Sequence, residues 1–320
     1  MRLRLLDLDG SVVGQPPFHE AIRAKTAQVV DLRAQGPSLR LWGNRRRMAE
    51  FTRFLMDLPQ PDGDGPLITF TGSGDYHHLT GAMLAAHLAR HDQPISVLHF
   101  DNHPDWVRLP PAWHCGSWVN RALDLPQVRR VVTLGPCAND LERPQCKGGN
   151  LAALASGRLE LWPWQHAPSR VWGSVPSGPG RQRDGKYLVW RELAQDDDYA
   201  LLDDILDRLP TDAVWLTIDK DVLCPQDAVT NWDQGGMTLS WLCGAIGRIT
   251  ARRTIVGADI CGEYSPPRFD SWAKRISARL DHPAEPAHSL PDLTGNQMSV
   301  DLSRNATANR DILAMLEKAA

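Results

Sequence analysis

The chain has 320 residues, 42% of them hydrophobic and 23% charged, with a formal net charge of -3. That composition suits a globular protein with a large core, and the near-neutral balance argues against nucleic acid or an anionic membrane as partner. No apolar run reaches the roughly 18 residues needed to span a bilayer, and acids replace the apolar region of a signal peptide in MRLRLLDLDGSVVG. The six cysteines form no C-x-x-C pair, which argues against a disulfide framework or a structural zinc site. A cytoplasmic protein acting on a small molecule is the expectation.

Along the chain, Arg45, Arg46 and Arg47 read as the solvated face of a helix. Apolar runs ending in small or acidic residues then recur: LITFTGSGD from Leu67, ISVLHFD from Ile95, RRVVTLGP from Arg129, DAVWLTIDKD from Asp212 and TIVGADICGE from Thr254. They are rich in β-branched and aromatic residues and alternate little, as buried parallel strands do. LTGAMLAAHLARH and LSWLCGAIGRITARR lie between such runs and read as helices. Residues 137–187 are rich in Gly, Pro, Arg and Trp, with weak periodicity, and predict long loops or an insertion. HPAEPAHSLPDLTGNQ predicts a second loop, and NRDILAMLEKA a C-terminal helix. Strands alternating with helices predict a single α/β domain over residues 1–320, in three α/β/α layers around a mostly parallel sheet.

In such a sheet, ligands bind beyond the carboxyl ends of the strands, and acidic and imidazole side chains gather there. Asp101, His103 and Asp105 follow one strand at every second position, Asp219 and Asp221 follow another, His77 and His78 a third, and Glu263 a fourth. Carboxylates crowded together repel unless cations neutralise them. Four aspartates and at least two histidines suit two adjacent divalent metals, and an oxygen-rich shell favours Mn²⁺ over Zn²⁺.

These residues resemble the arginase/agmatinase (ureohydrolase) superfamily, which shares its fold with deacetylase-like enzymes. The D-A-H-x-D motif is matched by Asp101-Asn102-His103-Pro104-Asp105, and S-x-D-x-D-x-x-D-P by Thr217 to Pro225, with Cys224 in place of the last aspartate. P-G-G-L-T is matched by Gln234 to Thr238, and the terminal strand-to-glutamate motif by Asp259 to Pro266. G-G-D-H-S is matched loosely by Gly74 to His78, and spacing to Asp101 favours His78 over His77 as the ligand. The resemblance implies a hydrolase cleaving a C–N bond of a guanidino-type or amide substrate, with two Mn²⁺ lowering the pKa of a shared water. It also implies that Asp105 orients that water, Glu263 holds the substrate cation, His114 shuttles a proton, and the chain forms a homo-oligomer. Two alternatives remain: a deacetylase-like enzyme with one Zn²⁺, echoed by the His77-His78 pair, and a non-catalytic metal-binding relative. The segment WVRLPPAW, apolar and stiffened by proline, argues against arginine as substrate; Trp106 or Trp113 is expected to wall a pocket, and Arg108 to anchor an anion.

Overall fold

The computed structural model describes residues 1–111, 113–282, 289–291, 298–300 and 302–318. Its strands are β1 (Arg2–Asp7), β2 (Ala27–Asp31), β3 (Leu67–Gly72), β4 (Ile95–Phe100), β5 (Val128–Leu134), β6 (Leu159–Trp162), β7 (Ser169–Arg170), β8 (Arg181–Asp184), β9 (Tyr187–Trp190), β10 (Ala213–Asp219), β11 (Thr254–Cys261), β12 (Ser289–Pro291) and β13 (Met298–Val300). The helices are α1 (His19–Arg23), α2 (Gly36–Leu39), α3 (Arg45–Asp57), α4 (Leu79–Leu88), α5 (Trp118–Leu123), α6 (Leu151–Ala155), α7 (Ala200–Asp207), α8 (Leu239–Arg252), α9 (Trp272–Asp281) and α10 (Ser303–Glu317).

Eight strands form the central sheet in the order β2-β1-β3-β11-β10-β4-β5-β6, and every pairing is parallel. Alternation along each strand sends side chains into two separate cores. Leu5, Phe70, Leu98 and Leu216 pack with α7, α8 and α10 on one face, whereas Leu6, Val97, Val131 and Trp215 pack with α3, α4 and α5 on the other. This is the expected three-layer α/β/α architecture. Helix α4 is buried along nearly its whole length, at Leu79, Thr80, Gly81, Ala82, Met83, Leu84, Ala86 and Leu88. A helix enclosed on all sides has no polar stripe. Among the described residues, no helix is long and apolar enough to cross a membrane.

Residues 137–187 are more ordered than their composition suggests: they contain α6, the sheet's edge strand β6, and most of a three-stranded antiparallel sheet, β7-β9-β8. The HPAEPAHSLPDLTGNQ loop falls largely outside the described residues.

The strand order determines where a site can form. β3, β11, β10 and β4 are spatial neighbours at the middle of the sheet, so their carboxyl ends open onto one crevice although they are far apart in sequence.

Candidate metal centre

At the end of β4 the chain leaves the sheet and curls. Asp105 takes φ 46°, a backbone region that non-glycine residues seldom occupy and that tends to mark functional sites. The curl brings Asp105 back beside Asp101, and Trp118 Nε1 holds its Oδ2 at 2.6 Å. From β3, a 3₁₀ turn at Gly74–Tyr76 delivers His77 into the same space. From β10, Asp219 accepts the Asp221 amide, and a second 3₁₀ turn over Lys220–Val222 carries Asp221 past it. Gly74 and Gly262 flank the Asp219 carboxylate so tightly that a Cβ at either position would collide with it.

The side chains form two overlapping groups. His77 Nδ1 lies 3.0 Å from Asp101 Oδ2, 3.1 Å from Asp105 Oδ2 and 3.6 Å from Asp219 Oδ2. His103 Nδ1 lies 3.0 Å from Asp221 Oδ2 and 3.6 Å from Asp101 Oδ1. Asp101 thus belongs to both groups, and Asp219, beside His77, accepts the Asp221 amide. All are buried except His103, which is nearly so.

The far side of each ring is fixed by an outer partner. His77 Nε2 meets Thr217 Oγ1 at 3.0 Å, and that hydroxyl donates to Asp259 Oδ1 at 2.9 Å. His103 Nε2 meets Asp233 Oδ1 at 3.1 Å, and Asn102 Nδ2 donates to the same carboxylate. Donation of each Nε2–H outward would leave each Nδ1 lone pair toward the carboxylates, the tautomer a metal-bound histidine takes. His77 Nδ1 makes no hydrogen bond although carboxylate oxygens surround it. Carboxylates crowded around a buried imidazole need a positive charge among them, a divalent cation or, in the chelated chain, a proton. The donor set fits divalent cations: His77, Asp101 and Asp105 form one group of ligand atoms, with Asp219 beside His77, and Asp101, His103 and Asp221 form another.

Three candidates sit differently from the sequence reading. His78 caps α4, points away from the carboxylates, and has no hydrogen bond at either ring nitrogen; burial lowers its pKa to about 3. The preference for His78 is thus corrected to His77. His77→Asn is expected to weaken metal binding by about 100-fold or more, whereas His78→Leu should retain it; calorimetric titration with Mn²⁺ separates the two. Glu263 does not border the crevice. Gly262, at φ 85°, turns the chain after β11, and the Glu263 carboxylate is enclosed by Lys220 Nζ, Gln15 Nε2, Asn305 Nδ2 and Asn309 Nδ2. A carboxylate already satisfied by a buried lysine and three amides has no capacity left for a substrate cation. Trp106, fully buried, walls no pocket.

The sequence reading missed four contributors. His99 Nε2 lies 2.8 Å from Asp101 Oδ2, and the Cys261 thiol donates to Asp219 Oδ2 at 3.2 Å. Trp118 and Asp233 hold Asp105 and His103 as described. His99 extends the period-two row at Asp101, His103 and Asp105 back into β4, and that was the available signal.

The inner cavity, about 400 Å³ including space open to solvent, opens past His103, Val107, Gly116 and Trp232 into an outer one of about 1450 Å³ on the same measure. His114 lines the outer cavity, its ring accepting the Ser117 amide, and burial lowers its pKa so that it stands neutral. Asp140, Asp233 and Asp281 make the outer rim acidic, with Lys147 the one cation among its described lining residues apart from the histidines.

Burial, and then the charge of Asp101, push the Asp105 carboxyl up to about 8. The same two causes raise Asp219 and Asp221. Burial alone would lower His77 and His103, but the neighbouring aspartates raise both well above the usual imidazole value. A group with a raised folded-state pKa stabilises fully below its unfolded value and loses that stability as pH climbs through the folded one. Above about 6.5, where the buried histidines with lowered pKa (His78, His87 and His99) no longer gain stability with pH, the chelated chain is therefore expected to lose melting temperature as pH rises to about 8. Added metal, which must displace these protons, should raise the melting temperature more at pH about 8 than at pH about 6. A chelated chain whose melting temperature rises between pH about 6.5 and about 8 would contradict the assignment.

No family model matches the chain. An uncharacterized protein of Thermotoga maritima is 27% identical over 214 residues, which is 67% of this chain and 64% of that protein; the match thus spans less than two thirds of the relative's length. Among solved structures, arginase from Bacillus cereus aligns with a TM-score of 0.57 at 15% identity, covering 98% of this chain and 97% of that one. Proclavaminate amidino hydrolase from Streptomyces clavuligerus aligns at 0.53 and 17% identity, covering 87% and 89%. Formimidoylglutamase from Bacillus subtilis aligns at 0.52 and 16%, covering 87% and 83%. The chain has the three-layer α/β/α fold of the arginase-like enzymes.

Proposed function

We propose that this protein is a binuclear metal hydrolase that cleaves a C–N bond of a small guanidino- or amidino-type substrate. The observation that carries the reading is the unpartnered His77 Nδ1 amid carboxylates, with His103 set against Asp221 and Asp101 alongside. The names of the structural neighbours, arginase, amidino hydrolase and formimidoylglutamase, support the bond type.

Four aspartates and two histidines favour Mn²⁺. Bound there, the two cations would make water nucleophilic near neutral pH and polarise the carbon under attack. Asp105 has one oxygen held by Trp118, and its other oxygen accepts a proton from the attacking water and fixes the line of attack. Asp105 would pass that proton on to the leaving amine, with His114 at the mouth as the relay. Trp232 packs edge-on against His103, with ring centroids 5.5 Å apart, and forms a flat wall against which a planar amidine lies. The acidic rim draws in a cation, the role that Glu263 does not fill. Val107, Leu109, Pro110 and Pro111 line the outer cavity, so the substrate's far end is apolar and not the amino-acid group of arginine. Arg108 lines neither cavity.

Mn²⁺-loaded protein offered guanidino, amidino and N-acetylated amines tests the reading. Release of urea or ammonia from a guanidino or amidino compound with an apolar tail is the expected result. Acetate release alone would favour the one-Zn²⁺ deacetylase-like alternative, and a metal-loaded protein inert to all three classes would favour the non-catalytic one.

A further inference from the structure

At the opposite end of the sheet from the metal centre, three arginines converge on a second cavity. Arg2 and Arg4 lie on the same face of β1, beside Leu67 and Thr69 of β3 in register. Arg90, just past α4, and His87 and His91 line the other side, around about 460 Å³ that includes space open to solvent. None of the described lining residues is acidic, and none of the three arginines has an ion-pair partner among the described residues. Arg4 is 4% exposed. Its Nε donates to Gln28 Oε1 at 2.7 Å and one terminal nitrogen to the Pro59 carbonyl at 3.0 Å, leaving the other without a protein partner. His87 Nε2 is buried and also unpartnered.

A buried cation without a counter-charge is costly, and here neighbouring cations raise the cost. Burial, then the charges of Arg90 and Arg2, lower the Arg4 pKa to about 10, the reverse of what an acid partner would do. Of the other buried cations, Arg40 meets Asp75, Lys220 meets Glu263 and Lys274 meets Asp270, whereas Arg181, which lines no part of this cavity, meets the Pro176 and Leu154 carbonyls. We infer that this cavity binds a small phosphate-type dianion, either inorganic phosphate or the phosphate ester of a small molecule. Planar guanidiniums match the oxygens of such a group two at a time, and the Thr69 hydroxyl in the lining adds a neutral donor. A dianion suits three positive charges better than a monocarboxylate does.

The test is titration calorimetry with sodium phosphate and separately with glycerol phosphate, on the chelated full chain, against chloride at matched ionic strength. Chelation keeps phosphate from binding at the metal centre, so the outcome is independent of the hydrolase reading. Binding is expected in the millimolar range or tighter, with a melting-temperature rise of about 2–4 °C at about 10 mM. It should weaken about tenfold or more in Arg90→Gln and in Arg4→Met and be retained in Asp219→Ala. Tighter binding of the ester identifies a phosphorylated small molecule as occupant, and equal or weaker binding identifies phosphate itself. If Arg4→Met does not fold, the exposed Arg90 and the half-buried Arg2, each changed to Gln, carry the test. No binding beyond the chloride control, or binding undiminished in Arg90→Gln and Arg2→Gln, would overturn the inference.

Discussion

Asp219→Ala is expected to abolish metal binding and hydrolysis together while leaving a folded chain. Asp219 stands beside His77 and accepts the Asp221 amide, so its loss reaches both ligand groups. The expected fall is at least about 100-fold in metal affinity and at least about 1000-fold in turnover. The fold should tolerate the change because two effects oppose each other. The substitution removes the carboxylate that accepts the Asp221 amide, a cap worth about 1 kcal/mol. It also removes an anion whose pKa is raised by burial and by Asp101, which relieves the chelated chain. Denaturant unfolding of the chelated variant should fall within about 1 kcal/mol of the unsubstituted chain. Full turnover in Asp219→Ala would overturn the metal reading.

Lys220→Met should produce the largest loss of stability. Lys220 sits between two metal-site aspartates, with a side chain 1% exposed, and points the other way, into a closed polar pocket. There Nζ meets Glu263 and, at 2.8 Å, Asn309 Oδ1. Removing the cation leaves Glu263 as an uncompensated buried charge, a change that costs about 3–5 kcal/mol. That is a large share of the roughly 5–15 kcal/mol by which domains are stable. Adding Glu263→Gln removes the stranded charge, so the double variant should recover much of the loss, as denaturant unfolding of both would show. A single variant within about 1 kcal/mol of the unsubstituted chain would show that the pair is not needed.

The sequence reveals the middle of this sheet better than its edges. β3, β4, β5, β10 and β11 are buried on both faces, and their apolar runs are visible for that reason. β1 alternates arginine with leucine, β2 is only half-buried, and β6 has four residues inside a stretch of weak periodicity. None of the three carries the signature of a buried strand.

The site divides in a similar way. Asp101, His103, Asp105, Asp219 and Asp221 are legible because short spacing at a strand end keeps them together. The choice between His77 and His78 is not, because the 3₁₀ turn at Gly74–Tyr76 sets which imidazole faces inward, and chain spacing does not report that rotation. The environment of Glu263 is less legible still. Its partners Gln15 and Asn309 are 248 and 46 residues away, and only the packing of α10 against the sheet brings the asparagines there.

The most direct test of the proposed binuclear centre is elemental analysis of the purified chain, reconstituted with Mn²⁺ and separately with Zn²⁺. The geometry predicts about two Mn²⁺ per chain, one for each His–Asp group, both lost in Asp219→Ala and one lost in Asp221→Ala. A single tightly held Zn²⁺ that persists in Asp105→Ala and Asp221→Ala would contradict it.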